Sequence, residues 1–151
     1  MSVIHFKIVT PEKTVLEEEI YQITIPIEGG DVTLLPDHVP YIGVVKPGEI
    51  LIRKEMSGEE ISLATSGGFV ELHDNILVVL ADTAERADEI DLARAEEARK
   101  KAEEIMKERV HADDEDYARV AAMIEKESTR VRVAKKHHSR RGLTMNNGTG
   151  V

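Results

Sequence analysis

The residues best placed to do chemistry are an Asp91–Arg94 pair, six scattered histidines, a Ser66-Gly67-Gly68 segment and a basic run that starts at Lys126. On a helix, Asp91 and Arg94 stand three residues apart and could turn a carboxylate and a guanidinium toward one ligand. The same pair also reads as a first-turn acid satisfying the helix dipole and bonded locally to Arg94. The histidines show no metal-ligand spacing with carboxylates. His137 and His138 are adjacent on an expected tail, which makes a poor metal site. His5 and His73 fall near strand ends and read as surface or boundary residues. Ser66-Gly67-Gly68 follows a strand but does not open a helix, and no GxxxxGK[ST] pattern is present, so it reads as a tight turn. No residue is assigned a catalytic role, and no metal is expected.

The basic run is Lys126, Arg130, Arg132, Lys135 and Lys136, followed by Arg140 and Arg141. The chain's net charge is −9, yet residues 128–151 carry six cations and no acid, while residues 1–127 carry 14 cations against all 29 acids. Acidity overall argues against nucleic-acid binding. A basic end on an acidic chain suits docking to an acidic surface, or else is a solvated helix end favoured by the dipole.

Two kinds of element must position these groups. Residues 1–83 read as a β domain. Short segments lie at Val3–Val9, Thr14–Glu17, Tyr21–Ile27, Asp31–Leu35, Tyr41–Val45, Glu49–Lys54, Glu60–Thr65, Phe69–Leu72 and Ile76–Ala81. Turn signals such as Gly29-Gly30, Pro36-Asp37, Pro47-Gly48 and Asp74-Asn75 separate them. Many short strands at this spacing predict a sandwich or barrel, and all five prolines lie in this half. From Thr83 to Lys136 there is neither Gly nor Pro, and the composition favours helix. Leu92, Ala95, Ala102, Ile105 and Met106 make one stripe; Tyr117, Val120, Ala121, Ile124, Ser128 and Val131 make another. Val110-His111-Ala112-Asp113-Asp114 breaks the pattern, and Asp113 suits a helix cap. Residues 84–136 are therefore predicted as an antiparallel two-helix hairpin of roughly twenty residues per helix, with residues 137–151 a disordered tail. The seam residues are small, bury little area, and leave the hairpin able to open.

With no Cys, disulfides and thiolate metal sites are excluded. No apolar run approaches the ~18 residues that cross a bilayer, and the first residues lack a signal-peptide layout. Membrane contact is expected only through a partner.

Three segments are more specific. They are Gly30-Asp31-Val32-Thr33-Leu34-Leu35-Pro36-Asp37-His38-Val39-Pro40 with Val45-Lys46-Pro47-Gly48; Ser66-Gly67-Gly68-Phe69-Val70-Glu71-Leu72 with Val78-Val79-Leu80-Ala81-Asp82-Thr83-Ala84; and Asp88-Glu89-Ile90-Asp91-Leu92-Ala93-Arg94-Ala95. In order and spacing they resemble the epsilon subunits of bacterial F-type ATP synthases (delta in mitochondrial naming), from about residue 3 to residue 136. The resemblance implies a ten-stranded β-sandwich at the foot of the central stalk, bound to the gamma subunit and resting on the c-ring, with a regulatory helical hairpin. That is a non-catalytic rotor subunit of a proton-translocating complex, peripheral on the cytoplasmic face of the bacterial plasma membrane.

By the same resemblance, the ring-facing loop corresponds to Asp31, Pro36, Asp37 and His38, with Asp31 able to pair with cations on the ring. Asp37 stands where the family often has Gly. Read without the resemblance, this is an ordinary polar hairpin end. The family's hairpin, when extended along gamma, contacts the alpha and beta subunits and blocks hydrolysis. Lys126, Arg130, Arg132, Lys135 and Lys136 correspond to its basic inhibitory helix. ATP-binding relatives suggest a regulatory site at Glu85, Ile90, Asp91, Arg94, Lys101, Lys126 and Arg130, although Lys101 and Lys126 replace Arg and lose its bidentate geometry. No cofactor is required. The alternative function is an ATP-sensing module whose hairpin closes on nucleotide; an unrelated β-sandwich enzyme or carbohydrate binder is a third.

Overall fold

The structure, a computed structural model, describes residues 2–108 and 113–146, with side chains described through residue 142. Ten strands come first: β1 (Ile4–Val9), β2 (Thr14–Ile20), β3 (Gln22–Ile27), β4 (Gly30–Leu34), β5 (Tyr41–Val45), β6 (Gly48–Arg53), β7 (Glu60–Thr65), β8 (Gly68–His73), β9 (Ile76–Ala81) and β10 (Ala84–Arg86). Two helices follow, α1 (Leu92–Glu108) and α2 (Asp114–Asn146), after a single 3-10 turn over Ala87–Glu89.

Alternation makes the sandwich. In β1 every second residue, Ile4, Phe6 and Ile8, is buried, and in β6 the same holds for Gly48, Ile50 and Ile52. Each strand thereby buries one face. The strands run in the order β10-β7-β6-β3-β5-β8-β9-β1-β2, with β4 paired to β3 alone. Strand β3 is shared: Gln22–Thr24 pair with β6, and Ile27 pairs with Val45 of β5. β1 and β9 pair in parallel and the other neighbours are antiparallel. The core is aliphatic, built from residues such as Ile23, Ile25, Leu63, Leu72 and Val79 around one buried aromatic, Phe6.

Alternation alone gave nine strands; the structure has the ten that the resemblance implies, and the predicted helical region begins later. Ala84-Glu85-Arg86 are good helix formers, yet they pair with Thr65, Ala64 and Leu63. The edge of β7 offers unpaired backbone groups, and satisfying them outweighs a few tenths of a kcal/mol of intrinsic preference. By its internal contacts the chain divides after Arg86 rather than after Thr83.

Within the helical unit, Ala95 and Ala102 of α1 and Val120 and Val131 of α2 are buried, as their stripes predict. Tyr117, which its stripe also predicts to be buried, is 58% exposed: it lies in the first turn of α2. Thr129, Val133 and Ala134 are also buried. Asp113 caps α2 through Oδ1, which accepts from the Asp116 N–H at 2.9 Å. Residues Val110, His111 and Ala112 of the expected loop lie outside the described residues, as do residues 147–151 of the tail. The tail expectation fails over residues 137–146, where α2 continues. A helix already nucleated adds residues at small cost, and the only strong breaker there, Gly142, costs about 1 kcal/mol.

Candidate partner-binding surfaces

Three surfaces carry the residues singled out above. The first is one end of the sandwich. Strand β4 separates the four candidate loop residues. Asp31, exposed, pairs with Pro26 near the start of β4, whereas Pro36, Asp37 and His38 lie past its other end. Along β4 itself Asp31 and Leu34 stand about 10 Å apart, and the turn that holds Pro36 and Asp37 lies beyond Leu34. The structure thus groups Pro36, Asp37 and His38 and leaves Asp31 apart. Asp37 has φ +65°, a left-handed conformation that Asp tolerates better than most residues. It is tied across the sandwich end: its N–H donates to Asn75 Oδ1 at 2.7 Å, and Asn75 Nδ2 donates to its Oδ1 at 2.9 Å. Hydrogen bonds from Asn75, and then Ser2, hold the Asp37 carboxyl below its ordinary range. The His38 Nδ1 lies 2.7 Å from the Val39 carbonyl oxygen.

The second surface was not found from sequence. Val44, Phe69 and Leu80 stand directly opposite one another on β5, β8 and β9, and all three are exposed. Ile42, two residues along β5, is 78% exposed. These side chains occupy the outer face, opposite Val45, Val70 and Val79 in the core. A signal existed: Tyr41-Ile42-Gly43-Val44-Val45 is apolar on both faces of one strand, a pattern of strands covered on both sides.

The third surface is the helical unit. Asp91 is the α1 cap: its Oδ1 accepts from the Arg94 N–H at 3.1 Å, and its carbonyl from the Ala95 N–H at 3.0 Å. Asp91 thus bonds the backbone of Arg94 at the start of α1. Ile90 is buried, Arg94 is exposed, and Lys101, paired with Glu97 at 3.2 Å, lies about 15 Å along α1 from Asp91. Glu85 belongs to β10 of the sandwich unit. On α2, Lys126 is half-buried and Arg130 holds Glu127 at 2.8 Å with little solvent access to either. Arg132 and Lys136 are exposed. Lys135 reaches across to Glu96 of α1 at 3.1 Å, which sequence reasoning missed. The Lys135 ammonium, by hydrogen bond and then by charge, holds the Glu96 carboxyl below its ordinary range. That contribution is present above the ordinary carboxylate pKa and is lost as pH falls through the lowered one. Among the described residues no cluster could hold a metal ion.

Asp91→Ala is expected to cost the helical unit about 1 kcal/mol through the lost cap, and Asp91→Asn almost nothing, since Asn caps equally well. Helix content followed by circular dichroism during urea unfolding separates the two. Equal losses would show that the carboxylate charge, rather than the cap, is what matters there.

Two family descriptions cover these units in order. "ATP synthase, Delta/Epsilon chain, beta-sandwich domain" matches residues 3–87, and "ATP synthase, Delta/Epsilon chain, long alpha-helix domain" matches residues 88–135. The chain belongs to the ATP synthase delta/epsilon family. The join between the two matched regions falls within a residue or so of the division after Arg86. The ATP synthase epsilon chain of Chloroflexus aggregans is 43% identical over 138 residues, covering 91% of this chain and 96% of that protein. That of Herpetosiphon aurantiacus is 43% identical over 137 residues, covering 91% and 98%. The epsilon chain of Thioalkalivibrio sulfidiphilus is 39% identical over 132 residues, covering 87% and 92%. A similar fold occurs in the Euglena gracilis mitochondrial ATP synthase (OSCP/F1/c-ring), with TM-score 0.70, 20% identity, and coverage of 85% of this chain and 79% of that one. The delta/epsilon long-helix match ends at residue 135, whereas α2 runs on to Asn146. Among the described residues, no helix of this family member is long and apolar enough to cross a membrane.

Proposed function

We propose that this chain is a non-catalytic rotor subunit of a proton-translocating F-type ATP synthase. The sandwich binds the gamma subunit on the face of Ile42, Val44, Phe69 and Leu80, and its Pro36–His38 end rests on the c-ring. The helical hairpin restrains ATP hydrolysis by extending to the alpha and beta subunits. The subunit is held at the cytoplasmic face of the bacterial plasma membrane through the complex alone. It needs no cofactor, and ATP acts at most as a regulatory ligand of the helical unit.

The observation that carries this reading is the exposed cross-strand row Val44–Phe69–Leu80 in a chain matched to the family across both units. Large apolar side chains left side by side in water favour association, and burying one Phe contributes about 1.5–3 kcal/mol. The brake is supported by the helical unit. Ala95 and Ala102 make a shallow seam, and exposed cations at Arg132, Lys135 and Lys136 suit an acidic surface. Small seam residues leave the hairpin close in free energy to an opened state.

Phe69→Asp is expected to weaken association with a gamma subunit by at least about tenfold, since it removes apolar burial and strands a charge. The sandwich should stay folded, because Phe69 is 61% exposed. Co-purification with gamma and a c-ring tests both levels. Failure of the wild-type chain to associate overturns the rotor reading, while equal binding by the variant overturns only the assignment of this face.

A further inference from the structure

Asn75 joins three stretches of chain that are far apart in sequence. Its carbonyl accepts from the His5 N–H at 2.7 Å at the start of β1. Its side chain makes both bonds to Asp37 in the β4–β5 loop, and Asn75 itself sits in the β8–β9 turn. Asp37 and Asn75 both have positive φ, +65° and +61°. Asp and Asn tolerate that region better than other non-glycine residues, and interactions with their surroundings help to hold them there. Here each residue satisfies the other: Asn75 Oδ1 takes the Asp37 backbone N–H, and Asp37 Oδ1 takes the Asn75 amide. Beyond this contact the loop is wet, with Leu35, Asp37, His38, Val39 and Pro40 all exposed. It has a second internal tie, the His38 N–H donating to the Leu35 carbonyl at 3.3 Å.

The histidine's chemistry follows from its neighbour. A carbonyl oxygen only accepts, so the Nδ1 that lies 2.7 Å from Val39 O carries the proton. In the neutral ring Nε2 is then an acceptor. The Tyr41 ring, edge-on at 6.4 Å between centroids, flanks the imidazole.

We infer that Asp37 and Asn75 form a clamp that fixes the Pro36–Val39 loop, so that His38 offers Nε2 as an acceptor to a donor side chain, an amide or guanidinium, on the partner docking at this end. The two are positioning residues, and the inference rests on the rotor reading, in which that partner is the c-ring. Preorganisation is the physical content. A loop held in its bound pose loses less freedom on docking than a free one. The carboxyl of Asp37 lies below its ordinary range, so the clamp's contribution is fully present above the ordinary carboxylate pKa and fades only as pH falls through the lowered value.

The test uses the full chain with the rest of the rotor. Asn75→Gly removes both side-chain bonds while keeping the backbone bond to His5 and easing the left-handed φ, so thermal stability should change little. Its association with a gamma–c-ring assembly is expected to fall about five- to tenfold, the scale of one or two lost hydrogen bonds. Asp37→Asn keeps both an acceptor oxygen and a tolerance for positive φ, and should keep most of the wild-type association, losing only the part that depends on the carboxylate charge. In the free chain, the His38 ring nitrogens read by NMR should report one tautomer in the wild type and an averaged pair in Asn75→Gly. Association by Asn75→Gly equal to the wild type, or an unchanged His38 ring signal, overturns the clamp. If the wild-type chain binds no rotor at all, the rotor reading fails instead, and the ring signal still decides whether Asp37 and Asn75 order the loop.

Discussion

Gly68→Ala is expected to cost the sandwich about 4 kcal/mol, from backbone strain of ~1–3 kcal/mol added to overpacking of ~1–3 kcal/mol. Gly68 has φ +149°, and a Cβ built there would lie 2.0 Å from the Leu80 carbonyl oxygen and 2.9 Å from the Ala81 Cα. Both neighbours are backbone, so no side chain can swing aside. The neighbouring hydrogen bonds show why relaxation is denied. Thr65 Oγ1 donates to the Thr83 carbonyl at 3.0 Å, the Ser66 N–H donates to that same carbonyl at 3.2 Å, and the Asp82 N–H donates to the Gly67 carbonyl at 2.9 Å. Thr83 Oγ1 also donates to Ser66 Oγ at 2.7 Å. The Ser66-Gly67-Gly68 turn thus ties the β7–β8 connection to the β9–β10 connection, a structural role in place of a phosphate cradle. Differential scanning calorimetry should show a fall in Tm of about 20 °C or more, at ~4–8 °C per kcal/mol for a unit of this size. Gly29→Ala is the control. It also has positive φ but nothing within 4 Å of its Cβ, so it should cost only the ~1–2 kcal/mol of left-handed strain. A fall for Gly68→Ala no larger than that of Gly29→Ala, about 4–16 °C on the same scale, would show that the β8 end is free to move.

Truncation after Ala87 is expected to leave assembly intact and to raise ATP hydrolysis by the complex at least about fivefold, the lower end of typical coupling between sites. The cut keeps β10, whose three pairs close the β7 edge, and removes both helices and every cation of the basic run. Truncation after Thr83 removes β10 as well and should lose assembly, because β7 is left with an open edge. Steady-state hydrolysis by reconstituted complexes, measured under conditions where the full-length chain inhibits, checks the pair. Unchanged hydrolysis after the Ala87 cut would remove the brake from the proposed function, while the rotor role would stand on the co-purification result.

Much of the architecture was legible because it depends on neighbours in sequence. Period-two alternation placed nine strands. The loss of Gly and Pro after Thr83 marked the helical region, and Asp113 was recognisable as a cap because its partner, Asp116, is only three residues on. The family signature lay in local segments and could be read the same way. The sites were less legible. The Asp31, Pro36, Asp37 and His38 set looked like one loop, but β4 is extended and carries Asp31 to its opposite end. The Asp91–Arg94 pair could be read from sequence as a ligand pair or as a local cap, and only the structure shows the Asp91 oxygen on the Arg94 N–H.

Sequence by itself determined nine of the strands, the two helices and their order, since propensity, periodicity and capping act over a few residues. Tertiary structure alone decided what those elements do to one another. It made Ala84–Arg86 a strand by pairing them with Leu63–Thr65, and put Asn75 against Asp37 across 37 intervening positions. It set Val44, Phe69 and Leu80 in one exposed row, and brought Lys135 to Glu96. Each of these is a contact between residues distant along the chain. Whether such a contact forms depends on strand register and helix packing, and no short window of residues encodes either one.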